Sequence, residues 1–313
     1  MSEAKIRSMN NELNKERQRR TVLTNSGTAA KKAAERFFNI LFLLCGILCI
    51  AFVILITIFL IISGIPAIKE IGLADFMFGK IWNAQSGKFG VLAFILTSIY
   101  GTIVSALISC PMGLLTAIFL AKVAPPKIYA AIHKCVELLA GIPSVIYGLI
   151  GLIVVVPFVQ RTFSLSSGAT LCSAIIILAL MILPYMITIS EEALRSVPEE
   201  YEQASLALGA TELETYFKVS VKSAWSGIMS AAIQSIGRSI GEAMAIIMVA
   251  GNVANMPSIF KSVRFLTTAI VSEMSYAEYG SLHRNALFSI GLVLFVFIML
   301  INIILHIVKK EDK

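Results

Sequence analysis

The residues best suited to chemistry in this chain are charged groups set inside apolar sequence. The segment Gln234-Ser-Ile-Gly-Arg238-Ser-Ile-Gly-Glu242 spaces an amide, a guanidinium and a carboxylate four residues apart. On a helix this spacing puts all three on one face, a turn from one another. An arginine or aspartate at the centre of a membrane helix costs about 2.5–3.5 kcal/mol, so a pair of charges there needs compensation. Two readings fit. In one, Arg238 and Glu242 neutralise each other as an intrahelical salt bridge while Gly237-x-x-x-Gly241 packs on a neighbouring helix. In the other they line an anion pathway: the guanidinium holds an oxyanion bidentately and the carboxylate positions it or accepts its proton. Ionisable groups within membrane sequence favour the second reading.

A second set lies in Lys134-Cys-Val-Glu137-Leu-Leu-Ala-Gly-Ile-Pro143. Glu137 can pair with Lys134 three residues before it, or can gate the pathway or touch a partner; both readings stand. Pro143 and Pro184 sit inside apolar helical patterns, and each frees a backbone carbonyl, either as a packing kink or as a break lining a polar route. Enzyme machinery does not occur. Gly79-Lys80 and Gly87-Lys88 lack the rest of a phosphate-binding loop, and no nucleophile elbow or H-E-x-x-H is present. His133, His283 and His306 are far apart and near span ends, which reads as interfacial placement rather than a metal site. Any ATP chemistry driving transport therefore belongs to another chain.

These charges are informative because of what surrounds them. The chain has 313 residues, of which 57% are hydrophobic and 14% charged, and its mean hydropathy is +0.84. A soluble domain of this size cannot cover its surface with so few charges, so the chain is an integral membrane protein. Its five cysteines lie in or beside apolar runs without a disulfide or metal-ligand pattern. The apolar runs at about 38–62, 90–121, 129–158, 170–190, 226–251 and 286–308 each reach the roughly 20 residues needed to cross a bilayer. They predict an all-α fold of six transmembrane helices within 38–308. A polar tail over 1–37 precedes them, and 309–313 comes after. The second run would be about 48 Å long as a helix; Pro111 is expected to kink it, with Lys122-Val-Ala-Pro-Pro-Lys127 in the interface. The first run is too long for a signal peptide and has no small-residue cleavage site after it.

The formal charge of +7 comes largely from the tail, with Lys5, Arg7, Lys15, Arg17, Arg19, Arg20, Lys31, Lys32 and Arg36. A basic tail directly before a span reads as a topology signal resting on anionic lipid, not as a nucleic-acid site. With an even number of spans, basic residues concentrate on the side of both termini. The other side holds Lys69, Lys80, Lys88, Arg161, Lys261, Arg264 and Arg284. Both termini are thus expected in the cytoplasm. On that side, the stretch 191–225 is far longer than a connection between spans requires. It reads as two short helices, Glu191–Ser196 and Glu199–Leu208, separated at Pro198 and ended by Gly209. That length makes it a docking-surface candidate.

Within this stretch, Gln203-Ala204-Ser205-Leu-Ala-Leu-Gly209-Ala-Thr, with Val219-Ser-Val-Lys222 after it, resembles the E-A-A-x3-G loop of bacterial ABC-importer permeases. Gln203 stands for the glutamate, Ser205 for the second alanine and Lys222 for a proline. Glu137-Leu-Leu-Ala-Gly-Ile-Pro-Ser, Ile-Ser-Glu191-Glu-Ala-Leu-Arg195-Ser-Val-Pro and Gly-Arg238-Ser-Ile-Gly-Glu242-Ala-Met are similar to the phosphate-import permeases. Met-Val-Ala-Gly-Asn252 and Phe265-Leu-Thr-Thr-Ala-Ile-Val-Ser-Glu273-Met resemble the PstC-type subunits of that family rather than the PstA-type. The resemblance runs from about residue 40 to the end. It implies a MetI-like permease fold in a bacterial cytoplasmic membrane and a PstA-like sibling permease. It also implies a PstB-like ATPase dimer holding the ATP and Mg, and a PstS-like phosphate-binding protein outside. It implies a phosphate pathway at Arg238 and Glu242, and an ATPase-coupling loop that includes Glu202, Gln203, Ala204, Ser205 and Gly209. A permease for sulfate or molybdate, or a self-contained secondary transporter without partner chains, is the alternative.

Overall fold

The computed structural model describes the backbone of residues 3–311 and the side chains of Lys31 and of residues 35–303. Apart from Lys31, Glu35 and Arg36, the charged side chains of the tail over 1–37 lie outside the described residues. So do His306 and the side chains of the 309–313 terminus. Residues 1–59 form one compact unit and residues 60–313 a second. The first holds most of helix α1 (Glu3–Ile71).

In the second unit, the end of α1 leads into α2 (Leu73–Phe78) and an antiparallel pair of two-residue strands, β1 (Trp82–Asn83) and β2 (Lys88–Phe89). Then come α3 (Leu92–Ile118), α4 (Pro126–Gly141), α5 (Ser144–Ile150), α6 (Val156–Thr162) and α7 (Leu171–Arg195). The remaining helices are α8 (Glu199–Ala207), α9 (Glu212–Thr215), α10 (Val221–Ser223), α11 (Trp225–Ile240), α12 (Met244–Val249), α13 (Leu266–Glu273) and α14 (Leu282–Glu311). Wide π-helical turns lie at Phe119–Val123 between α3 and α4, at Gly151–Val155 between α5 and α6, and at Tyr216–Ser220 between α9 and α10.

Among the described residues, five helical stretches are long and apolar enough to cross a membrane. They are Glu35–Ile71, Leu92–Val123, Ser144–Thr162, Leu171–Arg195 and Leu282–Ile303. The sequence reading differs from them in three places. The run at 129–158 is not one helix: α4 ends at Gly141 and α5 begins at Ser144, with Ile142 extended at φ −69° and ψ 126°. Pro143 has no N–H to give, and its ring pushes the preceding residue out of the helical region. The run at 226–251 is also divided, because α11 ends at Ile240 and α12 starts at Met244. Glycine is a poor helix former, and at Gly241 the ladder gives way to side-chain partners: the Glu242 carboxylate accepts the Ala245 N–H at 3.1 Å, and Thr267 donates to the Glu242 carbonyl at 2.7 Å. The third difference is at Glu191–Ser196, where α7 continues unbroken to Arg195 instead of stopping for a separate short helix. There the Glu191 carboxylate accepts from Arg195 Nε at 2.8 Å, an i,i+4 pair that suits a continuing helix.

The membrane part is held by helix packing of small residues. The face of α3 carrying Thr97, Ser98, Gly101, Thr102, Ser105 and Ser109 is buried, and α3 packs most extensively against α7. Small side chains let backbones approach closely, and Ser109 Oγ reaches the Ala179 carbonyl of α7 at 2.8 Å. Of the buried clusters among the described residues, three are the largest. One joins Phe76, Trp82, Phe89 and Phe94 to Leu287 and Ile290 of α14. The next joins Tyr147, Ile177, Leu178, Ile246 and Phe265. The third, beneath the 191–225 stretch, joins Ile118, Met186, Leu194 and Ile228.

Candidate functional site

Arg238 lies near the C-terminal end of α11 and is exposed, at the edge of the face that buries Ser235 and Ser239. Its guanidinium carbon sits 4.4 Å from the centre of the Tyr185 ring of α7, a cation–π contact. Among the described residues it makes no hydrogen bond and no ion pair, so its N–H donors stay open. Gln234, one turn earlier, shares this exposed face. Glu242 does not join them, because the helix ends between the two charges and Glu242 instead caps the start of α12. The intrahelical Arg238–Glu242 bridge is therefore not formed.

Tyr185 connects Arg238 to the break at Pro143. Its hydroxyl donates to the Ala140 carbonyl at 3.3 Å, and the Tyr147 hydroxyl donates to the Leu139 carbonyl at 2.9 Å. The last carbonyls of a helix have no partner within it, and α4 has two of them satisfied by these tyrosines. Glu137 and Pro143 line one open groove of about 560 Å3 together with Lys134, Leu138, Gly141 and Ile142. The partner of Glu137 is His133 at 3.4 Å and not Lys134. His133 also reaches Glu191 at 3.4 Å, and Tyr129 lies between the His133 ring and the Arg195 guanidinium.

The residues expected to form a coupling loop lie together on α8 and its exit. No residue of α8 is buried. Tyr201, Gln203, Ala204 and Leu206 are exposed, and Leu208 is 90% exposed. Glu202 points inward, with Lys122 Nζ at 2.5 Å and Ser220 Oγ at 2.7 Å. The Ser205 and Thr215 hydroxyls bond to each other at 2.9 Å. Gly209 has φ +89°, the left-handed conformation of a helix C′ residue. Beyond it, Thr211 and Glu214 form a reciprocal capping box at 3.3 Å that starts α9. The Lys218 hydrogen bond, and after it that of the Thr211 backbone, holds the Glu214 carboxyl below its ordinary range.

The sequence reading missed a charged cluster at the other end of the molecule. Glu273, at the end of α13, is 6% exposed. It accepts from Trp82 Nε1 at 2.9 Å, from His283 Nε2 at 2.7 Å and from Arg264 Nη1. Arg264 Nε and Nη2 donate in turn to the Asn252 carbonyl at 3.1 and 2.8 Å. That carbonyl is aimed by a left-handed turn at Gly251 and Asn252, with φ +79° and +52°. A Cβ at Gly251 would lie 2.6 Å from the Ala169 carbonyl, so only glycine fits. Burial alone would raise the Glu273 carboxyl. The hydrogen bonds from His283 and Trp82 and the Arg264 charge outweigh it and hold the group below the usual carboxylate range. The only signal in the sequence is the presence of Asn252 and Glu273 in quoted motifs; Trp82 is 191 positions away from Glu273.

The architecture matches known proteins. In the methionine ABC transporter MetNI, solved in inward-facing conformations, one chain superposes with a TM-score of 0.58 at 21% identity, covering 71% of this chain and 96% of that one. A chain of an amino acid ABC transporter crystallised with histidines superposes with a TM-score of 0.51 at 19% identity. At these identities the likeness shows the fold, a MetI-like permease fold. In sequence, a Bacillus subtilis protein named "Probable ABC transporter permease protein YqgH" is 41% identical over 82% of this chain and 86% of its own length. The phosphate transport system permease protein PstC of Mesorhizobium japonicum is 33% identical over 72% of this chain and 75% of its own. Residues 111–311 match the family described as binding-protein-dependent transport system inner membrane component. With this match over most of its membrane part and such relatives along its length, the chain belongs to that family and is the multi-pass membrane permease component of an ABC importer.

Proposed function

We propose that this chain is one half of the translocation pathway of an ATP-driven phosphate importer. A permease of its family works with an ATPase and a substrate-binding protein. Here we assign these places to a PstB-like ATPase dimer, which supplies ATP and Mg, and a PstS-like phosphate-binding protein, with a PstA-like sibling completing the pathway. Both termini and the 191–225 stretch face the cytoplasm, as the distribution of lysine and arginine favours. The segments 63–89 and 252–285 then face outward and receive the loaded binding protein. The span limits, the 1–37 tail and the 309–313 terminus are assigned on the same basis.

The observation that carries the substrate class is Arg238. Its guanidinium rests on Tyr185 beside membrane helices without a hydrogen-bonded protein partner. Such a group offers paired donors to a tetrahedral oxyanion, and the ring holds it without competing for those donors. A single arginine binds weakly enough to let the anion leave, which flux requires. Gln234 adds an amide on the same face, and Glu242 acts from the neighbouring turn through the position of α12. Glu137 and Pro143 belong to the groove at the α4 break, where a partner contact or gate would act. Glu202, Gln203, Ala204, Ser205 and Gly209 form the loop that docks in the ATPase. PstC relatives in several organisms favour phosphate over other oxyanions. The test is radiolabelled uptake by vesicles holding this chain with its sibling, ATPase and binding protein. ATP-dependent phosphate accumulation is expected. Sulfate or molybdate uptake in its place, or uptake by this chain alone on an ion gradient, would refute the assignment.

A further inference from the structure

Helix α8 is attached to the membrane helices in an unusual way. None of its residues is buried, and none belongs to the apolar cluster beneath it. Its described side-chain ties are polar: Ser205 to Thr215, and Glu202 to both Lys122 and Ser220. The first stays within the loop. The Glu202 ties lead towards the flanking helices. Lys122 is in the π-helical turn Phe119–Val123 that ends the span containing α3. Ser220 is in the π-helical turn Tyr216–Ser220 that leads through α10 to α11, which carries Arg238.

The Lys122–Glu202 contact is not an ordinary surface pair. The two side chains are 11% and 16% exposed and meet at 2.5 Å, with the Ser220 hydroxyl on the same carboxylate oxygen at 2.7 Å. Exposed ion pairs are weak and easily exchanged for water. A pair largely withdrawn from solvent is different, because separating it leaves a poorly hydrated charge behind. Such a link resists extension. At its far ends lie π-helical turns, which occur frequently at functional sites.

We propose that Glu202 and Lys122 form a strap that transmits displacement of α8 to α3 and, through Ser220, to the helix bearing Arg238. Lys122 is then a positioning residue for transport, although it touches neither substrate nor ATPase. The proposal rests on the reading of 199–217 as the segment docked in the ATPase, and adds which bond carries the motion onward. Rigid-body shifts of packed helices are a familiar way of amplifying such a local displacement. A transmission role requires energetic coupling between the two residues, so the decisive evidence is whether exchanging their charges restores what removing one of them loses.

The experiment uses the complete transporter in vesicles, with inorganic phosphate as the probe, and reads phosphate imported per ATP hydrolysed. Lys122→Met is expected to assemble and to hydrolyse ATP within about twofold of wild type, while its import per ATP falls about tenfold, the scale of a coupled pair. Lys122→Arg keeps the charge and is expected to retain the ratio. The exchange Lys122→Glu with Glu202→Lys reverses the pair, and the Ser220 hydroxyl can accept from a lysine, so most of the lost ratio should return. An unchanged ratio in Lys122→Met, no recovery in the exchanged pair, or failure of Lys122→Met to assemble would each overturn the strap. Docking itself is read from ATPase co-purification with the wild-type chain. Its failure is therefore distinct from a strap failure, which shows only as a difference among variants, and it would overturn both.

Discussion

At the scale of single residues, charged groups divide into those the protein satisfies and those it leaves open. Glu273 has three donors around it, whereas Arg238 has a ring and open N–H groups. We expect Arg238→Ala to lower phosphate uptake about tenfold or more, the worth of hydrogen bonds to a charged group, while the variant still assembles with its partners. Normal uptake would make Arg238 structural. For Glu273 the expected loss is one of stability, of the order of 3 kcal/mol for Glu273→Gln, since Arg264 would remain buried without its counter-charge. The folded carboxyl titrates below its ordinary value of about 4.3. Its contribution is therefore present above that value and disappears as pH falls through the folded one. The melting-temperature advantage of wild type over Glu273→Gln in detergent should hold near neutrality and shrink as the pH falls below the ordinary carboxylate value. A pH-independent gap would show that the charge is not what matters.

At the scale of elements, breaks in helices place the side chains that matter. Pro143 ends α4, and the carbonyls at its end are taken by Tyr147 and Tyr185, so the break and the seat of Arg238 share one residue. The end of α11 at Ile240 separates Glu242 from Arg238 and gives it a capping position. Gly209 ends the excursion of α8 with φ +89°. Proline is locked near φ −65°, so Gly209→Pro must change the exit of α8 and the direction of exposed Leu208. We expect it to weaken ATPase co-purification about tenfold, as backbone strain of 1–3 kcal/mol would, while the sibling permease still binds. Unchanged recovery of the ATPase would remove the docking reading of this loop.

At the scale of the whole molecule, this chain is one component of an importer, and its exposed groups are arranged accordingly. Arg238 presents open donors on one face, the Glu137–Pro143 groove is open, and Tyr201 and Leu208 of the α8 region stand clear of any core. The uptake experiment with partner chains belongs to this scale, since it reads the assembled importer and not one residue or helix. Much of this could be read from the sequence. Composition and run length determine a multi-pass helical membrane protein, because lipid leaves the backbone few other ways to satisfy its hydrogen bonds. The turn signals at Pro198 and Gly209 place α8 almost to its ends, since proline and glycine act through local geometry. Pairings between distant residues were decided only by tertiary structure. The i,i+4 spacing of Arg238 and Glu242 suggested a pair, yet Thr267 and the α12 backbone compete for that turn and win. Lys122 and Glu202 are separated by two candidate spans, and Trp82 and Glu273 by several. Local sequence sets propensities over a few turns, but the partner of a buried charge depends on which helices the fold brings beside it.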